Sequence, residues 1–149
     1  MTELLVVVGL AGVGVAAAFA AYLGSLRSWE GTARLADLQR EASVAMSVMT
    51  REVREATDVD IGVGGDSLSI YYYTGSFDSL TASFRLDGQG QIVDISGGTL
   101  TDNVDSLWVS SPDGRTVHID LYMSSDMGTA QVTSDDQSVL VSSSVVCRN

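Results

Sequence analysis

Residues 4–23 read Leu4-Leu5-Val6-Val7-Val8-Gly9-Leu10-Ala11-Gly12-Val13-Gly14-Val15-Ala16-Ala17-Ala18-Phe19-Ala20-Ala21-Tyr22-Leu23, twenty positions without a charged side chain. As an α-helix the run would span about 30 Å, the thickness of a bilayer's hydrocarbon core. A secretory signal is one reading, with Ala16, Ala17 and Ala18 as a small-residue cleavage site. Against it, Glu3 stands where a basic residue belongs, and the run exceeds the usual apolar core of roughly 7–15 residues. Arg27 and Arg34 lie on the far side, so with Met1 as the natural start the charges favour the wrong orientation for exporting the acidic C-terminal part. Nucleotide binding is a further reading of the same stretch. The glycines Gly9, Gly12 and Gly14, however, give G-x-x-G-x-G instead of G-x-G-x-x-G, and no second strand closes a βαβ unit. The run is expected to be a helix that needs lipid or copies of itself as cover, with residues 1–24 as its apolar unit.

Working outward, residues 25–57 continue the helical pattern. Leu35, Leu38, Ala42, Ala45, Met49, Val53 and Ala56 recur at steps of three and four, Met46 widens the stripe, and the wet side holds Glu30–Arg34 and Arg51–Glu55 as i,i+4 pairs. Arg51, Glu52, Arg54 and Glu55 read as a solvated face. Leu35, Leu38, Met46, Met49 and Val53 are the expected helix–sheet core. With no Pro before Pro112 and only Gly24 and Gly31 as weak points, both segments are expected to form one helix of roughly 80 Å.

After Gly62-Val63-Gly64-Gly65 the period changes to two. Leu68, Ile70 and Tyr72 alternate with Ser69, Tyr71 and Tyr73, and Leu80, Ala82, Phe84 and Leu86 alternate with polar neighbours. Asp87-Gly88-Gln89-Gly90 reads as a turn into a strand over 92–95. Strands at 104–109 and 117–121 flank a turn at Pro112-Asp113-Gly114, and the run 139–146 closes the sheet. The expected fold class is α+β: a long N-terminal helix packed on a C-terminal antiparallel sheet over 58–149.

Charge follows the same division. The 149 residues carry 19 acidic and 8 basic side chains, a net −11, and every basic residue is Arg. Residues 58–149 hold thirteen Asp, no Glu and only Arg85, Arg115 and Arg148, a net −10. Such a field repels a phosphate backbone, so nucleic acid is excluded as a partner. It suits a solvated surface, and a Lys-free, Asp-rich composition also fits a salty habitat. The mean hydropathy of +0.20 belongs to the helix.

Candidate chemistry is sparse. His118 and Asp120 share a strand face but no nucleophile is placed with them, and Cys147 is the one cysteine, so no internal disulfide forms. Asp58, Asp60 and Asp66 beside the glycine loop are weak calcium candidates without EF-hand spacing. Tyr71, Tyr72 and Tyr73 point alternately to the two faces of a strand and read as packing. No enzymatic activity and no cofactor are expected.

The run Thr2-Glu3-Leu4-Leu5-Val6-Val7-Val8-Gly9-Leu10 resembles the N-terminus of type IV pilins and type II secretion pseudopilins. VMTREVREA (48–56), FRLDGQGQIV (84–93), GGTLTDNVDSLWV (97–109), DGRTVHIDL (113–121) and the terminal Arg148-Asn149 resemble the minor-pilin and J-type pseudopilin branch. The resemblance implies a structural subunit of a helical filament. Leu4, Leu5, Val6, Val7, Val8, Leu10, Val13, Phe19, Tyr22 and Leu23 would leave the inner membrane for the filament core, and the acidic β domain would be displayed outside the cell or in the periplasm. It further implies a prepilin peptidase that cuts a basic leader, a methylated N-terminus, an assembly platform, and pairing of Glu3 with the terminal amine of a neighbouring subunit. Glu3 sits two residues nearer the start than the family spacing, so either the processed terminus lies upstream of Met1 or the pairing is altered. Gly9, Gly12 and Gly14 stand where many pilins melt at a Pro, and serve either helix flexibility or close packing. Many pilins close a C-terminal loop with a disulfide, and some pseudopilins bind calcium in this region. Pilin, secretion pseudopilin and a membrane-anchored binding module that never polymerises all stay open.

Overall fold

A computed structural model describes residues 2–73, 78–125 and 137–147, with side chains described from Val7 onward except at 73 and 78–81. Helix α1 runs over Thr2–Glu55, followed by β1 (Asp58–Ile61), β2 (Ser67–Tyr73), β3 (Asp78–Leu86), β4 (Ile92–Asp94), β5 (Thr99–Thr101), β6 (Val104–Ser110), β7 (Thr116–Ser125) and β8 (Gln137–Val146). The chain divides into two compact units, Met1–Arg34 and Leu35–Asn149. The boundary falls inside α1, so residues 35–55 of the helix belong with the strands.

In the second unit one stripe of α1 is buried. Leu38, Ala42, Ala45, Met46, Met49 and Val53 are shielded from solvent, as is Ala56 just past the helix, while Leu35 and Val48 are partly covered. The stripe holds because its steps of three and four return each side chain to one face. Each fully buried Met, Leu or Val contributes on the order of 1.5–3 kcal/mol. The stripe joins a single apolar cluster with Leu68, Ile70, Phe84 and Ile92 and with Leu107, Val109, Val117, Ile119, Leu121 and Met123. Helix on antiparallel strands makes this an α+β fold.

The strands form two sheets where the alternation predicts one. The first is a meander of order β1-β2-β3-β4-β5, the second is β6-β7-β8, and every pairing is antiparallel. The chain leaves the first sheet at Asn103, a non-glycine residue at φ 59°. Strand β6 then passes the turns at one end of that sheet: the Val104 N–H donates to the Gly90 carbonyl at 2.9 Å, and the Val109 N–H to the Gly65 carbonyl at 2.7 Å. Gly65 and Gly90 have φ of +78° and +73°, and a Cβ would lie 2.9 Å and 3.0 Å from the carbonyl oxygens of Val109 and Val104. Only glycine allows both the backbone angle and the approach.

Two local expectations are corrected. Residues 58–61, where the alternation marks no strand, are strand β1, with Val59 and Ile61 turned partly inward and both aspartates exposed. The strand expected over 92–95 stops at Asp94, whose Oδ1 accepts the Ser96 and Gly98 N–H groups at 2.8 Å each and bends the chain into a turn. In β3 a register shift sets Ile70 opposite Ala82 but Tyr71 opposite Leu80, while Ala82, Phe84 and Leu86 turn inward as their alternation predicts.

Candidate functional site

The first candidate site is the surface that the first unit leaves bare. Val7, Val8, Leu10, Val13, Phe19, Tyr22 and Leu23 are all exposed, Phe19 at 62% of its full area, and Trp29 at 76% is the most exposed aromatic of the helix. The helix bonds its own backbone groups, so this surface tolerates hydrocarbon, and α1 is long and apolar enough to cross a membrane. Gly9, Gly12 and Gly14 cost about 1 kcal/mol each relative to Ala in a helix interior. Among the described residues nothing outside the helix's own backbone lies within 4 Å of a Cβ added at any of them. The side chains of Glu3, Leu4, Leu5 and Val6 lie outside the described residues, although their backbone is helical.

The second unit carries a polar clamp that the sequence pattern did not reveal. The Tyr72 hydroxyl donates to Glu52 Oε2 at 2.7 Å, and the Arg51 guanidinium donates to Glu52 Oε1 at 2.8 Å. Arg51 thus bonds its neighbour Glu52, not Glu55 as the i,i+4 spacing predicts, and Glu52 is not part of a solvated face. The Tyr72 and Arg51 hydrogen bonds hold the Glu52 carboxyl below its ordinary pKa, and burial followed by the Glu52 bond pushes the Tyr72 phenol up to about 12. No periodicity links residues twenty apart on different elements; only the odd triple tyrosine marks the place.

Other candidates stay apart. His118 and Asp120 lie on the solvent side of β7, between buried Val117, Ile119 and Leu121, and His118 Nδ1 is 2.7 Å from the Ser144 hydroxyl. That is a cross-strand pair, not a relay to a nucleophile. The Cys147 thiol is half-buried, and burial with the fields of Asp58 and Asp113 pushes its pKa up, away from reactivity. Among the described residues no three His, Cys, Asp or Glu side chains gather to hold a metal ion, so Asp58, Asp60 and Asp66 are not brought together as one ligand group. A shallow groove of about 380 Å³ lies between Asp37, Arg40, Glu41 and Val44 of α1 and the 99–102 segment, and a second of about 300 Å³ is lined by Val48, Glu52, Phe84 and Asp94. Neither is lined by His or Cys.

Acidic turns account for several of the aspartates. Asp113 accepts the Thr116 N–H at 2.6 Å, the Arg115 N–H at 3.0 Å and the Thr116 hydroxyl at 2.8 Å, which together bring its pKa down to about 2. Asp94 is lowered for the same reason, the Ser96 hydroxyl first and then the Gly98 N–H. These carboxylates fasten turns and are already committed to backbone donors.

A long N-terminal apolar helix whose later turns pack on antiparallel sheet is a pilin-like architecture. Comparison with protein-family models, with curated proteins and with solved structures finds no match to this chain.

Proposed function

We propose that this chain is a structural, non-enzymatic subunit of a type IV pilus-like helical filament. The observation that carries the reading is the exposed apolar surface over residues 7–23, together with three glycines beside which, among the described residues, the space for a Cβ is open. Copies packed side by side would cover that surface and use the close approach the glycines permit. Before assembly the same surface would lie in the inner membrane. After it, the acidic β unit would be displayed outside the cell or in the periplasm, and Glu3 would set axial register by pairing with a neighbour's terminal amine. Processing by a prepilin peptidase, N-terminal methylation and an assembly platform belong to the same reading. A minor subunit, or a pseudopilin of a secretion system, would use the identical device in fewer copies.

The test is negative-stain microscopy and cross-linking of cells expressing the wild-type chain or Glu3→Ala, with intact mass to locate the terminus and its methylation. Filaments containing this chain, lost in Glu3→Ala, support the proposal. Monomers in the membrane, with Glu3→Ala behaving as wild type, overturn it in favour of an anchored module that never polymerises.

A further inference from the structure

The described sheets have four marginal strands, and three of them are guarded. Strand β1 is four residues long and carries Asp58 and Asp60. Strand β5 is three residues long and runs into Asp102. Strand β6 has a register shift at Asp105, and its backbone is tied at Val104 and Val109 to the Gly90 and Gly65 carbonyls. Short length, charge, bulges and cover are the usual means of stopping a sheet edge from recruiting another chain.

Strand β8 has none of these. Its ten residues, QSVLVSSSVV, include no charged side chain and no Pro. It pairs with β7 without a shift from Ser125↔Gln137 to Thr116↔Val146, and among the described residues no strand pairs with its other edge. Leu140 and Val146 stand 64% and 62% exposed beside that edge.

The geometry points to β8 as an interaction surface for a second copy of this chain, pairing antiparallel with that copy's β8 so that two three-stranded sheets become one of six strands. Two arguments select a copy as the occupant. Residues 58–149 carry a net −10, so two such domains repel wherever aspartates meet, and β8 is the long margin that brings none. Within the sheet, Asp120 of β7 is the carboxylate paired with β8, opposite Ser142. In the six-stranded sheet the two Asp120 residues would be three strand spacings apart, about 14 Å, beyond the screening length of roughly 8 Å at physiological salt.

The second argument is self-complementarity. Antiparallel partners share a face, so the two-fold axis must pass through a residue and not between two. An axis at Ser142 sets Val139 against Val145 and Val141 against Ser143 on the inward face, and Leu140 against Ser144 on the outward face. Buried Val139 and Val145 then continue the core across the junction. The main-chain bonds along residues 138–146 supply affinity, as in strand addition generally. This surface is independent of how the apolar helix is used.

The test uses the full-length chain in detergent micelles, in a Cys147→Ser background, with single substitutions Ser142→Cys or Ser138→Cys. Across the axis the Ser142 positions face each other at about 4.5–5.5 Å between Cα atoms, inside disulfide reach. The Ser138 positions would be about 26 Å apart along the strands. Mild oxidation is expected to give at least about tenfold more covalent dimer from Ser142→Cys than from Ser138→Cys, and Glu3→Ala is expected to leave that dimer intact, which separates this surface from helix bundling. Ser142→Lys, an exposed change that places two like charges on the axis, is expected to weaken dimerisation about tenfold with unchanged circular dichroism. Equal linking by both cysteines, no linking by a folded Ser142→Cys chain, or linking only to a different protein overturns the proposal.

Discussion

Replacing Tyr72 by Phe removes one oxygen and leaves the ring in place, so it isolates the bond between β2 and the Glu52 carboxylate of α1. A hydrogen bond to a charged acceptor contributes about 1.5–3 kcal/mol. The Glu52 side chain keeps 22% of its surface exposed, and water replaces part of the lost bond, so the expected loss is about 1 kcal/mol. For a unit of this size that is a fall of roughly 3–6 °C in Tm. The pH dependence comes from the two shifts. Glu52 is lowered, so its contribution is present above the ordinary glutamate value of about 4.3 and is lost as pH falls through the lower folded value. Tyr72 is raised to about 12, so its contribution is present below the ordinary tyrosine value near 10 and is lost as pH rises from there through about 12. The gap between wild type and Tyr72→Phe is therefore a plateau across roughly pH 5–9 that narrows at both ends. Thermal unfolding of the full chain in detergent, monitored by near-ultraviolet circular dichroism across this range, measures it. A double-mutant cycle with Glu52→Gln is expected to return most of the loss as coupling. A Tyr72→Phe chain that melts with wild type throughout the plateau, or two substitutions that simply add, would refute the reasoning.

Gly65→Ala combines a left-handed φ of +78° with a Cβ 2.9 Å from the Val109 carbonyl oxygen, so it is expected to cost about 2 kcal/mol and lower the urea midpoint at unchanged slope. Met49→Ala empties a fully buried position and is expected to cost about 2–5 kcal/mol, whereas Val44→Ala, exposed on the same helix, stays within about 0.5 kcal/mol in the same titration. Asp113 has its pKa held at about 2, so the stability it provides is present above the ordinary value near 4 and disappears as pH falls towards 2. A carboxyl carbon titration by NMR should place its midpoint well below the ordinary aspartate value, and Asp113→Asn should remove that part of the acid limb.

Two kinds of information met in this chain. The apolar run 4–23 and the stripe from Leu35 to Ala56 are legible because helix geometry is local: each step of three or four returns to the same face whatever else the chain does. The turns at Asp87 and Asp113 are legible for the same reason, since an aspartate followed by glycine closes on its own backbone. Strand β1 was hidden because Asp58 and Asp60 are its outward half and only Val59 and Ile61 face in. The third residue of the β5 strand, Thr101, is buried, but three residues are too few to show a period.

The sequence by itself determined the long helix, its bare apolar portion, the acidic character of residues 58–149 and the change of period from helix to strand. It did not determine that the strands would part into two sheets. That division rests on Val104 and Val109 meeting the Gly90 and Gly65 carbonyls, contacts between residues fourteen and forty-four positions apart. Nor did it determine that Glu52 would be gripped by Tyr72, or that β8 would be left as a charge-free margin. Which strand is marginal depends on which partners the others have taken, and strand partnership is a property of the assembled fold.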